Sequence, residues 1–150
     1  MKSLEDWSIG HWWERHPRQG LLWFEVEVGG AGPGAWSNRR SSRRIDAVHV
    51  PDHPRRELLA WNGADAFARE IQDRELELVE AKDELNFAVV GQCLGAVDML
   101  SRAYPQHGPL IPTAVVRFDP DEHLAWVCGR RGIVTYVAPD EDVRRMRASG

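Results

Sequence analysis

Three residues of this sequence combine charges that could bind a metal ion and activate water. Asp46 lies in the apolar run RIDAVHV (44–50), and Glu80 and Lys82 end the run ELELVEAK (75–82). A carboxylate inside an apolar strand is costly unless it binds something. Ions such as Mg²⁺ prefer hard oxygen ligands and need only one or two protein carboxylates. If the two runs are neighbouring strands, Asp46 and Glu80 can share one Mg²⁺ or Mn²⁺ ion.

The alternation of side chains along a strand puts Glu80 and Lys82 on one face and Ala81 on the other. Lys82 would then lie beside the ion, where an ammonium can position or activate an attacking water. The backbone carbonyl of Ala81 could supply one more ligand. An ordinary charge pair between Glu80 and Lys82 on an edge strand is the alternative interpretation. Arginine outnumbers lysine greatly in this chain, as is typical of a GC-rich genome, so the lysine at position 82 suggests a need for a compact ammonium.

The elements that would position these residues follow from periodicity and from turn residues. We predict helices at 3–16, within 55–73, and at 86–104, and strands at 21–28, 44–50, 75–82, 112–118, 124–129 and 132–138. The long helix between the strands at 75–82 and 112–118 makes those two strands parallel. The sequence therefore predicts an α/β fold with a mixed β-sheet flanked by helices.

Length and composition indicate a single domain over residues 1–150, with a Gly/Arg loop at 29–44, an inserted helical segment at 55–73 and a tail at 140–150. A hydrophobic content of 43% and a charged content of 28% are those of a soluble globular protein. The N-terminus lacks the apolar core of a signal peptide, so we expect a cytoplasmic protein, encoded by a bacterium or a phage. The two cysteines have no CxxC spacing, and we expect both to be reduced.

The order of these motifs resembles that of the PD-(D/E)xK nuclease superfamily. Asp46 in RID matches the family's aspartate, the pair Glu80–Lys82 in EAK matches its ExK motif, and Gln92 in VVGQCLG lies in the helix that follows. Ile45 stands where the family often has proline, and the interval between Asp46 and Glu80 is long. The resemblance implies a restriction-endonuclease-like core (α-β-β-β-α-β) that hydrolyses phosphodiester bonds in DNA with Mg²⁺ or Mn²⁺.

The resemblance also implies roles for residues outside the three-residue motif. Gln92 would orient the lysine or a phosphate, although a core glutamine bonded to backbone remains an alternative. The acid that the family carries on its first helix would correspond to Glu14, and Glu25 or Glu27 on the first strand is a rival. Many small members act as homodimers, so a homodimer is an expectation of the same kind.

Arginines in the loop at 29–44 could contact DNA. Glycines and Trp36 precede the basic residues Arg39, Arg40, Arg43 and Arg44. Arginines in such a loop can bind phosphates, and a tryptophan can stack on a base. A merely solvated loop is the alternative. The net charge of −4 excludes a broadly basic nucleic-acid coat protein.

Two functions without catalysis remain open on the sequence alone. The first is a nuclease-fold module that has lost activity and binds DNA or protein. The second is an unrelated α+β protein whose tryptophan-rich first helix binds a protein partner. Zinc is not indicated, because His49, Asp52, His53 and the cysteines match no common zinc spacing.

Overall fold

The structure is a computed structural model that describes residues 3–29 and 43–139. These residues form an α/β fold in which a six-stranded mixed sheet is flanked by four helices. The elements in chain order are α1 (Leu4–Glu14), β1 (Leu21–Val28), β2 (Arg43–Val50), β3 (Glu57–Ala60), α2 (Ala64–Ile71), β4 (Leu76–Lys82), α3 (Phe87–Ala103), β5 (Leu110–Val116), α4 (Glu122–Arg130) and β6 (Val134–Val137).

The strands are arranged in the order β3-β1-β2-β4-β5-β6. β2 is antiparallel to both β1 and β4, whereas the pairs β1/β3, β4/β5 and β5/β6 are parallel. The predicted parallel pairing across the long helix is confirmed, because α3 connects β4 to β5. β2 and β4, which carry the predicted acids, are central neighbours in the sheet.

Alternate residues of β4 pack against helices on opposite faces of the sheet. Val79 and Ala81 belong to the apolar cluster that contains Trp12 of α1. Leu78 belongs to the cluster formed with α3, which includes Leu100, and with α2. α4 packs on the α3 side through a third cluster. Burial therefore fixes the face of the sheet on which each β4 side chain lies. A shift of the strand by one residue would move every side chain to the opposite face.

The two helices nearest the predicted acids begin at well-defined caps. Ser3 and Asp6 form a capping box at the start of α1, which satisfies amide groups that the first turn leaves free. Asn86 caps α3 by accepting a hydrogen bond from the Val89 amide. The caps fix where each helix starts, and therefore which of its residues face the sheet.

The predicted helix within 55–73 is confirmed as α2, and the same segment also contains the edge strand β3, which the sequence analysis did not predict. One predicted element is wrong. The predicted strand at 124–129 is helical and lies within α4, whose first turn is capped by the Asp121 carboxylate. Leu124, Val127 and Cys128 follow the spacing of a helix face and pack in one cluster, a pattern that their β-branched and apolar composition conceals.

Cys93 and Cys128 are free and buried, as expected for reduced thiols. Among the described helices, none has the length and apolarity needed to cross a bilayer. The tail at 140–150 and most of the Gly/Arg loop, including Trp36, Arg39 and Arg40, lie outside the described residues.

Candidate functional site

The candidate site lies where β2 and β4 separate. Their ladder contains the pairs His49↔Glu77, Val48↔Leu78 and Ala47↔Val79. The next pair in this register would be Asp46 and Glu80, but the ladder ends before it although β4 continues to Lys82. Where the strands separate, backbone N–H and C=O groups lose their partners in the ladder and must form hydrogen bonds with side chains instead.

The carboxylate of Asp46 takes the place of the missing ladder hydrogen bond. Its Oδ2 accepts the amide hydrogen of Ala81 at 2.9 Å. This contact holds the Asp46 side chain against β4 and points it towards Glu80. The backbone carbonyl of Ala81, which the sequence suggested as a ligand, stays a prediction.

Asp46 and Glu80 are brought together, as the sequence predicted. The register of β2 and β4, continued by one pair, sets the two residues opposite each other, and the interaction between their carboxyl groups favours a proton on one of them. Burial raises the pKa of Glu80 to about 9, and the charge and hydrogen bond of Asp46 act in the same direction, against a smaller effect of Lys82. Glu80 is only 6% exposed, so near neutral pH it holds the proton.

Lys82 ends β4 beside this pair and contacts an acid that the sequence reasoning missed. Its Nζ lies 3.6 Å from Oε1 of Glu5, in the first turn of α1. Glu5 also acts electrostatically on Glu80. The four ionisable groups, Asp46, Glu80, Lys82 and Glu5, thus come from α1, β2 and β4. The position of Glu5 in the first turn of α1, just after the Ser3 cap, was the available signal in the sequence. It matters because the capped end of α1 and the end of β4 lie side by side.

The resemblance offered Glu14 on the first helix and Glu25 or Glu27 on the first strand. Glu14 is at the other end of α1, about 13 Å from Glu5 by helical rise, and it pairs with Arg56 at 3.5 Å. Glu25 is exposed, has a left-handed backbone with φ of 56°, and pairs with Arg44 at 3.5 Å. The acid of α1 that lies beside Lys82 is thus Glu5 and not Glu14, whereas Glu25 and Glu27 line the same cavity as Asp46.

Gln92 lies exposed in the second turn of α3. In the described part of the chain, no hydrogen bond joins it to the carboxyl pair. Cys93, the next residue, is the α3 side chain that is buried near the acids. Burial raises the pKa of its thiol to about 12, and the charges of Glu80, Cys128 and Asp46 add to the effect.

An open cavity of about 870 Å³ gives access to Asp46 from one side. Acidic side chains dominate its polar lining, which includes Glu5, Asp6, Glu25, Glu27 and Asp46, with Arg44 as a basic residue. Arg44 is held between Glu25 and Glu27, at 3.5 and 3.6 Å. Its guanidinium is thus partly neutralised, while Arg43 beside it is exposed.

A second cluster of ionisable groups lies on the α1 face of the same two strands. His49 of β2 and His16, which follows α1, both contact Oε1 of Glu77, at 2.8 and 2.6 Å. The three potential ligand atoms lie within 4.8 Å of one another. Sequence spacing did not reveal this cluster, because its members come from three separate segments.

No family model, no curated protein and no solved structure matches this chain.

Proposed function

We propose that the protein is a metal-dependent phosphodiesterase that acts on DNA. The observation that carries this proposal is the pair Asp46–Glu80, two carboxyl groups set opposite each other where the ladder of two central strands ends, with Asp46 held there by the Ala81 amide. Two adjacent acids that share a proton are well suited to exchange that proton for a cation. The order of strands and the α3 connection also support a restriction-endonuclease-like core.

Asp46 and Glu80 fit Mg²⁺ or Mn²⁺ because they offer hard oxygen donors and because the buried pair has only one proton to balance its charges. When bound, the ion would polarise a phosphoryl oxygen and lower the pKa of a water ligand. Asp46 is already fixed by the Ala81 amide, so its orientation needs little change on binding.

Lys82 has the position needed to act on water or on the phosphate. Its side chain is about two-fifths exposed, and Glu5 holds its ammonium from the α1 side. The ammonium can orient the attacking water and stabilise negative charge as the water oxygen bonds to phosphorus and one P–O ester bond breaks. Glu5 acts as a positioning residue for Lys82.

DNA as the substrate rests on the resemblance and on the basic loop. Arg43 is exposed near the site, and Arg39, Arg40 and Trp36 are further candidates for phosphate and base contacts. The acidic lining of the cavity opposes phosphate entry unless a cation is bound first. This lining favours the second candidate function, a module without catalysis that binds a protein.

The direct experiment is digestion of linear, nicked, single-stranded and branched DNA with Mg²⁺ or Mn²⁺. Wild-type protein should cleave at least one of these substrates, and Asp46→Asn and Lys82→Ala should not. Glu14→Gln is the matched control, because Glu14 is an acid of α1 that pairs with Arg56 far from Lys82. Cleavage by Asp46→Asn at the wild-type rate would assign the activity to a contaminant, and no cleavage of any substrate would favour the binding module.

A further inference from the structure

The cluster of His16, His49 and Glu77 lies on the face of the sheet opposite Glu80 and takes no part in the proposed reaction. Its three side chains come from the segment after α1, from β2 and from β4. Both imidazoles approach the same carboxylate oxygen, Oε1 of Glu77. We propose that these residues form a site for a divalent transition-metal ion, with zinc the best match, that ties the end of α1 to the central strands.

The surroundings of His49 are those of a metal ligand. Its Nε2 faces the backbone carbonyl of Gln19 at 2.6 Å, so that nitrogen carries a hydrogen and Nδ1 points to Glu77. Metal-bound histidines usually donate their other N–H to such an oxygen, which fixes the ring. A neutral His49 would leave the Nδ1 lone pair facing the Glu77 oxygen, so a proton or a metal ion is needed between them.

His16 completes the set with its Nε2. In the described structure its Nδ1 accepts the Arg18 amide hydrogen at 3.0 Å, so Nε2 carries the ring proton and donates it to Glu77. A metal ion would displace that proton, and the ring would move to the other tautomer and give up the Arg18 contact. Arg18 is exposed, so water can take over its amide.

Ligand type selects zinc over magnesium. Imidazole nitrogen is a borderline donor that suits Zn²⁺, Co²⁺ and Ni²⁺, whereas Mg²⁺ takes oxygen. Tetrahedral Zn²⁺ holds its ligand atoms about 3.3 Å apart, so the contacts of His49 and His16 to Glu77, at 2.8 and 2.6 Å, must lengthen by about 0.5 and 0.7 Å. Trp12 packs edge-on against both imidazole rings, with centroid distances of 5.2 and 5.1 Å, and limits their movement.

The test is a titration of the full chain with Co²⁺, whose visible absorption reports four-coordinate nitrogen and oxygen ligation. Wild-type protein should bind one Co²⁺ that Zn²⁺ displaces and excess Mg²⁺ does not. His16→Gln should weaken this binding at least about tenfold, since even removal of an outer-shell partner costs that much. His53→Gln is the matched control, because His53 also pairs with a glutamate, Glu70, but is not one of the cluster's ligands.

Asp46→Asn separates this site from the acidic pair, because it removes a carboxylate from that pair and leaves the histidine cluster intact. The proposal expects the Co²⁺ spectrum of Asp46→Asn to equal that of wild type. Absence of the spectrum in wild type, or an equal spectrum in His16→Gln, would overturn it. If His16→Gln fails to fold, as judged by circular dichroism, Glu77→Gln takes its place in the same comparison.

Discussion

β2 and β4 carry two pairs of facing side chains, one on either side of the ladder pairs Val48↔Leu78 and Ala47↔Val79. His49 and Glu77 form the pair at one end, and Asp46 and Glu80 form the pair at the other. The first joins an imidazole to a carboxylate, which are complementary hydrogen-bonding groups. The second joins two acids and must retain a proton or take up a cation. A single backbone frame thus holds one complementary pair and one pair that calls for a cation.

The same contrast appears in what surrounds each pair. Glu77 is contacted by two histidines, which lower its pKa although it is buried. Burial raises the pKa of Glu80 to about 9, and Asp46 strengthens the effect. A raised pKa in a buried carboxyl group whose partner acid, here Asp46, lines a cavity is typical of functional sites.

The Asp46–Glu80 pair is the acidic end of the β2/β4 ladder, and the His49–Glu77 pair is its histidine end. The largest expected difference between these two ends is in catalysis. Lys82→Ala should reduce DNA cleavage by about 10² to 10⁴-fold, the usual contribution of a group that assists proton transfer. His16→Gln should leave the rate within about twofold of wild type, because the histidine cluster is on the other face of the sheet. Initial rates with saturating Mg²⁺ measure both effects. An equal loss in the two variants would mean that the ends do not have separate roles.

The acidic end should also make the protein less stable as pH rises. In the presence of EDTA, Glu80 stays protonated in the folded state up to about pH 9 but ionises in the unfolded state above its ordinary value. The free energy of unfolding should therefore fall between about pH 4.5 and 9, by up to about 1.4 kcal/mol per pH unit. Urea denaturation of wild type and Glu80→Gln gives the measurement. A wild-type slope that Glu80→Gln leaves unchanged would contradict the account.

The histidine end should respond to pH in the opposite direction. The lowered pKa of His16 means that stability declines as pH falls below its unfolded value of 6.5, since the unfolded imidazole then binds the proton first. The lowered pKa of Glu77 adds a further loss below about 4.5. Unfolding curves between pH 7 and 4 should show this decline in wild type and a weaker one in His16→Gln. Parallel curves would remove the cluster from the acid response.

A smaller effect distinguishes the two acids of α1. Glu5→Gln should lower the cleavage rate about tenfold, because Lys82 loses the carboxylate that positions its ammonium, a change of about 1.4 kcal/mol in the barrier. Glu14→Gln should have no effect on the rate. Rescue of Glu5→Gln by Glu5→Asp would point to a charge contact, and a reduced rate in Glu14→Gln would restore the original choice from the resemblance.

The parts of the site that the sequence predicted are those set by strand periodicity. Alternation in ELELVEAK gave the shared face of Leu78 and Glu80, and apolar runs located β2 and β4 as strands. Their adjacency was only a condition of the sequence argument, and the structure supplies it. The resemblance supplied the expectation that Asp46 and Glu80 would meet.

The parts that the sequence did not predict depend on contacts between distant segments. The choice between Glu5 and Glu14 requires knowing which end of α1 lies near β4, and helical periodicity does not give this. The histidine cluster joins residues 16, 49 and 77, which no local spacing links. The strand expected at 124–129 became α4 because a cap at Asp121 and a helical apolar face outweighed its β-forming residues.

The central claim is that Asp46 and Glu80 exchange one proton for one divalent cation. Calorimetric titration with Mg²⁺ at pH 7.5, repeated in buffers with different ionisation enthalpies, measures the protons released. The account predicts one ion bound, about one proton released, and neither event in Glu80→Gln. Binding without proton release, or equal binding by Glu80→Gln, would contradict it.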